Sequence, residues 1–358
     1  MILRNKNILL ISPEPWNHIF VSKHHYAVHL GRRGNHVYFL EPPGESESVA
    51  PTEYENVVEV KYRGFPKGLR FYPPILQRHF IRKKFRELER LCNTRFDIIW
   101  SFDNSVFFDF SALPDSVLKI SHIVDLNQDF QTGRAAATAD ICFCTTELIR
   151  ARLLEFNSKC YKINHGFNDI TSAGGGVTLP GSSPLKVAYA GNLAMQYIDW
   201  DVIHATVRDN PDIDFIFIGP DGNGEGGEIS KQQVREAKNA YFPGRVRADD
   251  LALYYKSADI LILAYKEKYH ADQANPHKMM EYLGSGKMVV ATFTAEYSGL
   301  KDKNLLSMTH SNLEFTANLK MVVDNLAFWN SSDKQLLRKE WAMQNTYEEQ
   351  LGRIEGLL

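Results

Sequence analysis

The sequence predicts an α/β protein made of two doubly wound, parallel-sheet domains. The chain has 358 residues, which is more than one ordinary hydrophobic core accommodates. Short apolar runs alternate with amphipathic segments of helical period, as in repeated βαβ units. Residues 169–184 shift to Gly, Ser, Thr and Pro, which indicates a linker. We therefore expect domains at 1–168 and 185–330, followed by one helix in 331–358 that returns toward the first domain.

Short apolar strands mark the order of the first sheet. Polar or turn-forming residues bound each run, and helical segments lie between them. The predicted strands are Asn7–Ile11, His36–Leu40, Asp97–Trp100, Leu118–Ile123, Ile141–Cys144 and Tyr161–Ile163. Doubly wound sheets bind ligands beyond the carboxyl ends of their strands. Residues that directly follow a strand are therefore the first candidates for function.

The segment from Asn275 to Ala291 is the most informative about function, because it reads as a loop, a helix, a glycine stop and a buried strand. Asn275 suits the N-cap and Pro276 the first helical position, so free N–H groups and the positive helix end face the space in front. Lys278 and Glu281 follow within one turn. They offer a cation to a phosphate and a carboxylate to sugar hydroxyls. A solvated surface helix would show the same spacing.

This segment resembles the donor-binding signature of retaining GT-B glycosyltransferases, family 4 (group 1) in particular, and most closely the teichuronic-acid and capsule polysaccharide type. Three motifs precede it in the family's order, namely Tyr189-Ala-Gly-Asn192, Phe215-Ile-Phe-Ile-Gly-Pro-Asp221 and Tyr241-Phe-Pro-Gly-Arg-Val246. The resemblance implies two Rossmann-like domains that face a cleft, the second of which binds a nucleotide diphosphate sugar. The donor-binding residues that it implies are Gly191, Asn192, Gly219, Pro220, Arg245, Val246, Asp272, Asn275, Pro276, His277 and Glu281.

Two positions depart from the family pattern. A glutamate that contacts the transferred sugar usually stands eight residues before Glu281, but this chain has Gln273 there, beside Asp272. Gln273 can still donate and accept hydrogen bonds, and Asp272 can supply the negative charge. The family's Arg and Lys pair after the Asn192 turn is also missing. Lys278, Arg245 and the helix N-terminus would then have to stabilise more of the charge on the leaving diphosphate, or a residue of the other domain would.

The loop after the first strand is rich in residues that can bind ligands. We interpret Trp16, His18, Lys23 and His24 as acceptor-side residues, because the loop follows the carboxyl end of a strand. His165, near the predicted hinge, joins this set through the resemblance. An ordinary surface loop, with Ser22 capping the helix that follows, is the alternative interpretation.

His122 and Asp125 follow another strand of the first half. The resemblance implies that a polar residue here touches the transferred sugar. With Lys278 and Gln273, these two complete the candidate catalytic residues, although a lone His at a strand end is often only structural. Gly166 is predicted to occupy a left-handed turn.

The segment 61–90 concentrates positive charge, with ten Lys and Arg against two Glu. Near the start of a predicted amphipathic helix, Lys67 and Arg70 are interleaved with the apolar residues Phe65, Leu69, Phe71, Tyr72, Ile75 and Leu76. This mixture suits an anionic membrane surface, whereas a solvated basic face is the simpler alternative. A nucleic-acid partner is not expected, since the chain has neither an RNA-binding motif nor an overall basic charge.

Four cysteines without zinc-like spacing indicate reduced thiols. The triplets Asp199-Trp-Asp201 and Asp212-Ile-Asp214 are explained by caps and turns, so we expect no metal and no cofactor beyond the sugar nucleotide. No targeting or spanning segment is found, which predicts a cytoplasmic protein. Peripheral attachment to the inner face of the membrane is a further hypothesis.

These features predict a glycosyltransferase of hexosyltransferase type. It would transfer a sugar, with retention, from a nucleotide diphosphate sugar to a hydroxyl of a glycan or lipid-linked acceptor in surface polysaccharide biosynthesis. A sugar-nucleotide epimerase of the same fold and a non-catalytic partner subunit that binds nucleotide or glycan are the alternatives. A nicotinamide-dependent oxidoreductase is disfavoured because no Gly-x-Gly-x-x-Gly follows the first strand.

Overall fold

The computed structural model describes residues 2–18, 20–126, 131–168, 175–221, 229–247 and 250–358. These residues form two compact units. The first comprises residues 1–166 and 347–358, and the second comprises residues 167–346. The chain thus passes from the first unit into the second and then returns.

The described residues of the first unit form an eight-stranded sheet. Its strands are β1 (Asn7–Ile11), β2 (His36–Leu40), β3 (Ser48–Pro51), β4 (Val57–Lys61), β5 (Ile98–Ser101), β6 (Leu118–Ile123), β7 (Ile141–Cys144) and β8 (Cys160–Lys162). The strand order is β3-β4-β2-β1-β5-β6-β7-β8. All neighbouring strands are parallel except β3, which pairs antiparallel with β4 at the edge. From β1 the chain adds strands first on one side and then on the other. The topological switch point of the sheet therefore lies between β1 and β5.

Helices cover both faces of this sheet. Its first four helices are α1 (Ser22–Arg32), α2 (Pro74–Leu91), α3 (Thr132–Thr138) and α4 (Glu147–Leu153). Alternate residues of β1 enter different cores, because side chains of a strand point to opposite faces. Ile8 and Leu10 lie in the core that contains α1, whereas Leu9 and Ile11 lie in the core that contains α2. Burial on both faces explains the continuous apolar runs in the sequence.

The described residues of the second unit form a six-stranded parallel sheet. Its strands are β9 (Lys186–Ala190), β10 (Asp214–Ile218), β11 (Ala240–Gly244), β12 (Ile260–Leu263), β13 (Met288–Ala291) and β14 (Ser307–Met308). The order β11-β10-β9-β12-β13-β14 is that of a doubly wound sheet. Its switch point lies between β9 and β12. The helices are α5 (Trp200–Asp209), α6 (Ile229–Glu236), α7 (Leu251–Ser257), α8 (His277–Ser285), α9 (Ser298–Asp302), α10 (Phe315–Asp324), α11 (Leu326–Trp329) and α12 (Ser332–Met343).

The C-terminal segment forms two helices, which corrects the prediction of one. Helix α12 packs on α8 within the second unit. Helix α13 (Tyr347–Leu357) belongs to the first unit, where Leu351 and Ile354 are buried in the same core as α1. The predicted linker begins at residues 169–174, which lie outside the described residues. Its later part packs on the second unit, since Leu179 is buried there.

Gly166 does not occupy the predicted left-handed turn, because its φ is not positive. A glycine is needed for space instead, because a Cβ at this position would lie 2.2 Å from Cδ1 of Tyr347. The glycine therefore lets the ring at the start of α13 lie against the backbone.

Candidate functional site

Helix α8 follows β12 and begins at the carboxyl edge of the second sheet, and its C-cap is Gly286 in a left-handed conformation with φ of 80°. The predicted N-cap is wrong by one residue, since the cap is Pro276 and no side chain completes it. The Asn275 side chain turns elsewhere, and its Oδ1 accepts a hydrogen bond of 2.7 Å from the Tyr297 hydroxyl. Pro276 thus supplies no side-chain cap to α8, and the N-terminus of a helix is a place where an anion can bind.

Lys278 lies in the first turn of α8 with its amine among three tyrosines. Its Nζ donates to the Tyr265 hydroxyl at 3.3 Å and lies 5.1 Å from the ring centre of Tyr189. The ring centres of Tyr197 and Tyr265 are each 5.8 Å away. Burial lowers the pKa of Lys278, but the tyrosines, Tyr265 first, more than offset this and hold the pKa above its ordinary value. Lys278 is therefore a partly exposed cation at neutral pH.

Glu281 follows one turn later. Its Oε2 accepts a hydrogen bond of 2.8 Å from the buried Tyr255 hydroxyl of α7. Burial raises the pKa of Glu281, and the bond from Tyr255 and the charge of Lys278 oppose that rise. The side chain retains partial exposure. An ionised carboxylate has further acceptor capacity on both oxygens, so ligand hydroxyls can still bind to it.

Two glycines bring the ends of β9 and β10 close to Lys278. Gly191 has a φ of 151°, and a Cβ there would lie 2.2 Å from Cε of Lys278. Gly219 has a φ of 141°, and a Cβ there would lie 1.9 Å from the Gly191 carbonyl oxygen. The Gly191 N–H donates to the Ile218 carbonyl at 2.8 Å. Only residues without a side chain allow this approach, so the structure brings Gly191, Gly219 and Lys278 together.

The residues that follow these glycines lie at the same edge. Asn192 is exposed, and its Oδ1 accepts from the Ala194 N–H at 3.0 Å. The Pro220 carbonyl accepts from the Leu193 N–H at 2.9 Å. The bond between Leu193 and Pro220 joins the two loops, and the bond between Asn192 and Ala194 lies within the first loop.

The remaining predicted donor residues are less closely joined to Lys278 and Glu281. Arg245 is exposed after β11, and Val246 packs against the hydrophobic core. Asp272 and Gln273 are partly exposed in the loop before α8, where the Gln273 N–H donates to the Tyr269 carbonyl at 2.8 Å. His277 is the first residue of α8.

Sequence reasoning missed the tyrosines and an acidic residue beside the Asn192 loop. Asp221, after β10, forms ion pairs with Lys231 and Arg235 of α6. Lys231 also donates to the Leu193 carbonyl at 3.0 Å. The only available signal was the position of Asp221 directly after a strand, because its partners come from a separate helix.

In the first unit, the predicted acceptor-side residues Trp16 and His24 are buried and hydrogen-bonded. The buried Trp16 donates through its backbone N–H to Glu41 at 2.7 Å and through its indole to Glu53 at 3.2 Å. His24 is fully buried, and its Nε2 donates to the Pro15 carbonyl at 3.0 Å. His18 is exposed. The acceptor-side role of these residues stays a prediction.

A polar cluster lies at the N-terminus of α1. The buried Lys23 forms an ion pair with Glu14, and the Ser22 hydroxyl lies 3.1 Å from Nδ1 of His165. The predicted capping role of Ser22 is wrong, because Val21 is the N-cap. The cluster thus places a cation and an imidazole beyond the carboxyl end of β1.

His122 lies near this cluster at the end of β6. It is 1% exposed, and its Nδ1 accepts a hydrogen bond of 3.3 Å from the Trp100 indole. Burial, with smaller effects of His165 and Lys23, lowers the pKa of His122 to about 3. At neutral pH His122 is thus a neutral imidazole with its proton on Nε2. Asp125 is exposed just beyond the strand.

Within the described residues, no group of three or more His, Cys, Asp or Glu side chains is arranged to hold a metal ion. The expectation of a reaction without metal stays a prediction. Over the same residues, no helix is both long and apolar enough to cross a membrane. Cys92, Cys142, Cys144 and Cys160 are free thiols.

Comparison with known proteins supports the resemblance. Residues 185–324 match the family model described as "Glycosyl transferases group 1". A stretch of 114 residues is 27% identical to the "Putative teichuronic acid biosynthesis glycosyltransferase TuaH" of Bacillus subtilis (strain 168), and it covers 32% of this chain and 28% of that protein. The match thus spans less than a third of that relative.

Solved structures match over nearly the whole chain. Sucrose-phosphate synthase from Thermosynechococcus elongatus has a TM-score of 0.71 at 12% identity, with 98% of each chain covered. Anabaena HepE, in complex with UDP and glucose, has a TM-score of 0.66 at 13% identity, with 99% of this chain and 100% of that chain covered. At these identities the likeness establishes the fold, which is that of two parallel-sheet α/β domains of the GT-B type.

Proposed function

Because residues 185–324 match the glycosyl transferases group 1 family model in a chain of GT-B fold, we propose that this protein is a nucleotide-sugar-dependent glycosyltransferase. The donor would bind at the N-terminal end of α8 and the Gly191 turn. The observation that carries the proposal is the pairing of Lys278 with Glu281, one turn apart on α8 and both partly exposed at the carboxyl edge of the sheet.

Lys278 and Glu281 would each bind a different part of the donor. The Lys278 cation and the first N–H groups of α8 would bind the diphosphate and stabilise the charge that develops as it leaves. Glu281 would accept hydrogen bonds from the ribose. Gly191 leaves room for the backbone to approach the phosphates, because no Cβ stands beside Lys278. Gln273, or Asp272 beside it, would contact the transferred sugar.

We assign the acceptor side to the first unit. Lys23 and His165 would orient the acceptor, together with His18. His122 would donate a hydrogen bond through Nε2 to a sugar hydroxyl, since a neutral imidazole of pKa about 3 is a poor base at neutral pH. Asp125 is exposed beside it. Transfer would proceed with retention, and the leaving phosphate would take the acceptor proton. Proton NMR of the first-formed product tests retention through its anomeric coupling constant.

Donor binding is the first test. Isothermal titration with UDP, GDP, ADP and CMP, and with their sugar conjugates, should identify one nucleotide that binds the wild type. Glu281→Ala and Lys278→Ala should each weaken its binding at least tenfold, since each removes a hydrogen bond to a charged group. Glu314→Ala and Lys320→Ala, at exposed positions on other elements of the same unit, are the matched controls. Failure of every nucleotide to bind folded protein would refute the proposal.

Turnover separates the enzyme from a binding subunit. Gln273, at the place of the family's sugar-contacting glutamate, is the observation that favours a non-catalytic subunit as the second candidate. Incubation of the identified sugar nucleotide with membrane extracts and with defined glycans should release the nucleoside diphosphate. Tight nucleotide binding without release or transfer would support the subunit instead.

We further propose that the acceptor is a glycan or lipid-linked intermediate of surface polysaccharide biosynthesis and that the protein reaches it at an anionic membrane surface. The α2 tip (residues 70–76) carries Phe71 and Ile75, which are 77% and 74% exposed. Gln77 is buried directly behind it and is bonded to the Arg70 carbonyl and to Arg134. The apolar side chains therefore project from an anchored segment rather than collapse onto the core.

Vesicle sedimentation tests this attachment. Vesicles with phosphatidylglycerol should bind the protein more strongly than phosphatidylcholine vesicles, because basic residues surround the α2 tip. Phe71→Glu and Ile75→Glu should each reduce binding severalfold, whereas Leu313→Glu, at a position 93% exposed in the second unit, should not. Equal binding of wild type and both tip variants would exclude the α2 tip as the attachment surface.

A further inference from the structure

Tyr255 is buried at 2% exposure on α7 and directs its hydroxyl toward α8. The hydroxyl donates to Oε2 of Glu281 at 2.8 Å. Its ring packs edge to face on Tyr282, with ring centres 5.2 Å apart. A ring fixed by packing cannot follow a moving carboxylate, so the bond selects one orientation of Glu281.

The bond joins a buried donor to a partly exposed acceptor. Tyr255 needs a partner, because a buried hydroxyl without a hydrogen bond is costly. Glu281 has no such need, since water can solvate it on its exposed side. The main effect of the bond on Glu281 is therefore to restrict the orientation of its carboxylate. The second carboxylate oxygen, Oε1, is left available to a ligand.

We infer that Tyr255 is a positioning residue for donor binding: it holds the Glu281 carboxylate so that Oε1 accepts a hydrogen bond from a ribose hydroxyl of the nucleotide. This inference rests on the proposed function and adds to it a residue outside the predicted donor set. Preorganisation of this kind raises affinity by removing the cost of ordering the carboxylate on binding.

The charges around Glu281 give the inference a pH signature. Tyr255 faces it from α7, while Lys278 and Tyr282 belong to its own helix. Burial raises the pKa of Glu281, and the Tyr255 hydroxyl and Lys278 oppose this. Removal of the hydroxyl raises the pKa further. Since the ionised carboxylate is a stronger acceptor for the ribose hydroxyl than the protonated acid, the loss of affinity on acidification should begin at a higher pH in Tyr255→Phe.

The test measures binding of the nucleoside diphosphate that the wild type prefers, and of its 2′-deoxy and 3′-deoxy forms, between pH 5 and 8. Tyr255→Phe should weaken binding of the ribonucleotide about tenfold. It should weaken binding of the deoxy form that lacks the bonded hydroxyl much less. In a Glu281→Gln background the same change should have little further effect. Tyr254→Phe, on the same helix and partly buried, is the matched control.

The outcomes separate this inference from the proposed function. If the wild type binds none of UDP, GDP, ADP and CMP, the proposed function fails. If the wild type binds one of them but Tyr255→Phe changes neither the preference for ribose over deoxyribose nor the pH profile, the positioning role is overturned. A lower melting temperature with unchanged preference and pH profile would show that Tyr255 is only structural.

Discussion

Gly191→Ala tests whether the position of Lys278 controls donor binding. The new Cβ would lie 2.2 Å from Cε of Lys278, and ordinary contact begins at 3.4 Å, so the side chain must retreat by 3.4 − 2.2 = 1.2 Å. At an effective dielectric constant of about 20, moving a charge contact from about 3 Å to about 4.2 Å weakens it by about 1.6 kcal/mol. We expect nucleotide affinity to fall roughly 15-fold. The left-handed backbone adds about 1–3 kcal/mol of strain to the folded state.

Isothermal titration on four proteins resolves the cause. Gly191→Ala, Lys278→Ala, the double variant and wild type form a double-mutant cycle with the nucleotide that wild type binds. The effect of Gly191→Ala on affinity should shrink to less than about threefold when Lys278 is absent. Gly175→Ala controls for backbone strain, because its φ is 85° and no atom lies within 4 Å of the added Cβ. An equal loss of affinity in both backgrounds would refute the proposed route through Lys278.

Three further predictions concern other parts of the molecule. Gly166→Ala should lower the free energy of unfolding, measured with urea, by about 1–3 kcal/mol, because the new methyl group overpacks against Tyr347. Adding Tyr347→Leu to this variant should recover part of the lost stability. Unchanged stability of Gly166→Ala would mean that the Tyr347 ring moves freely. Donor affinity should fall as the pH decreases through the raised pKa of Glu281, above the ordinary range near 4.3, and Glu281→Gln should abolish this fall; a flat wild-type profile down to pH 4.5 would contradict it. NMR should show no titration of His122 between pH 5 and 8, because burial lowers its pKa to about 3; a midpoint above 5 would contradict the buried, neutral assignment.

The strands that are buried on both faces were predictable from sequence. The runs at β1, β2, β6 and β7 are confirmed at the predicted residues, and β5 and β8 are each shifted from the prediction by one residue at both ends. The edge strand β3 and its neighbour β4 were missed. In β3 half-buried residues alternate with exposed ones, and β4 has two buried residues among half-buried ones. Both strands include polar side chains, so no continuous apolar run marks them. The helix and strand after Asn275 were predictable because three local signals point to the same structure. These are Asn275 and Pro276 before the helix, the glycine after it and the apolar run of the strand.

The partners of the charged site residues were not predictable in the same way. Tyr189, Tyr197 and Tyr265 lie near Lys278 but come from β9, the following loop and the end of β12. A tyrosine in or beside an apolar strand reads as core, and nothing local indicates that its ring faces a cation. The hydrogen bond from Tyr255 likewise joins residues 26 positions apart. Such pairs depend on helix packing, which spacing along the chain does not encode.

The return of α13 to the first unit has a consequence for biosynthesis. The second unit is continuous, from residue 167 to residue 346, whereas the first unit includes residues 347–358. During translation the second unit can therefore complete its core before the first, although domains usually fold in order from the N-terminus. Until α13 leaves the ribosome, the apolar surface of α1 that it covers, including Tyr26, stays open. The nascent first unit would then be the part of the chain that depends most on chaperones.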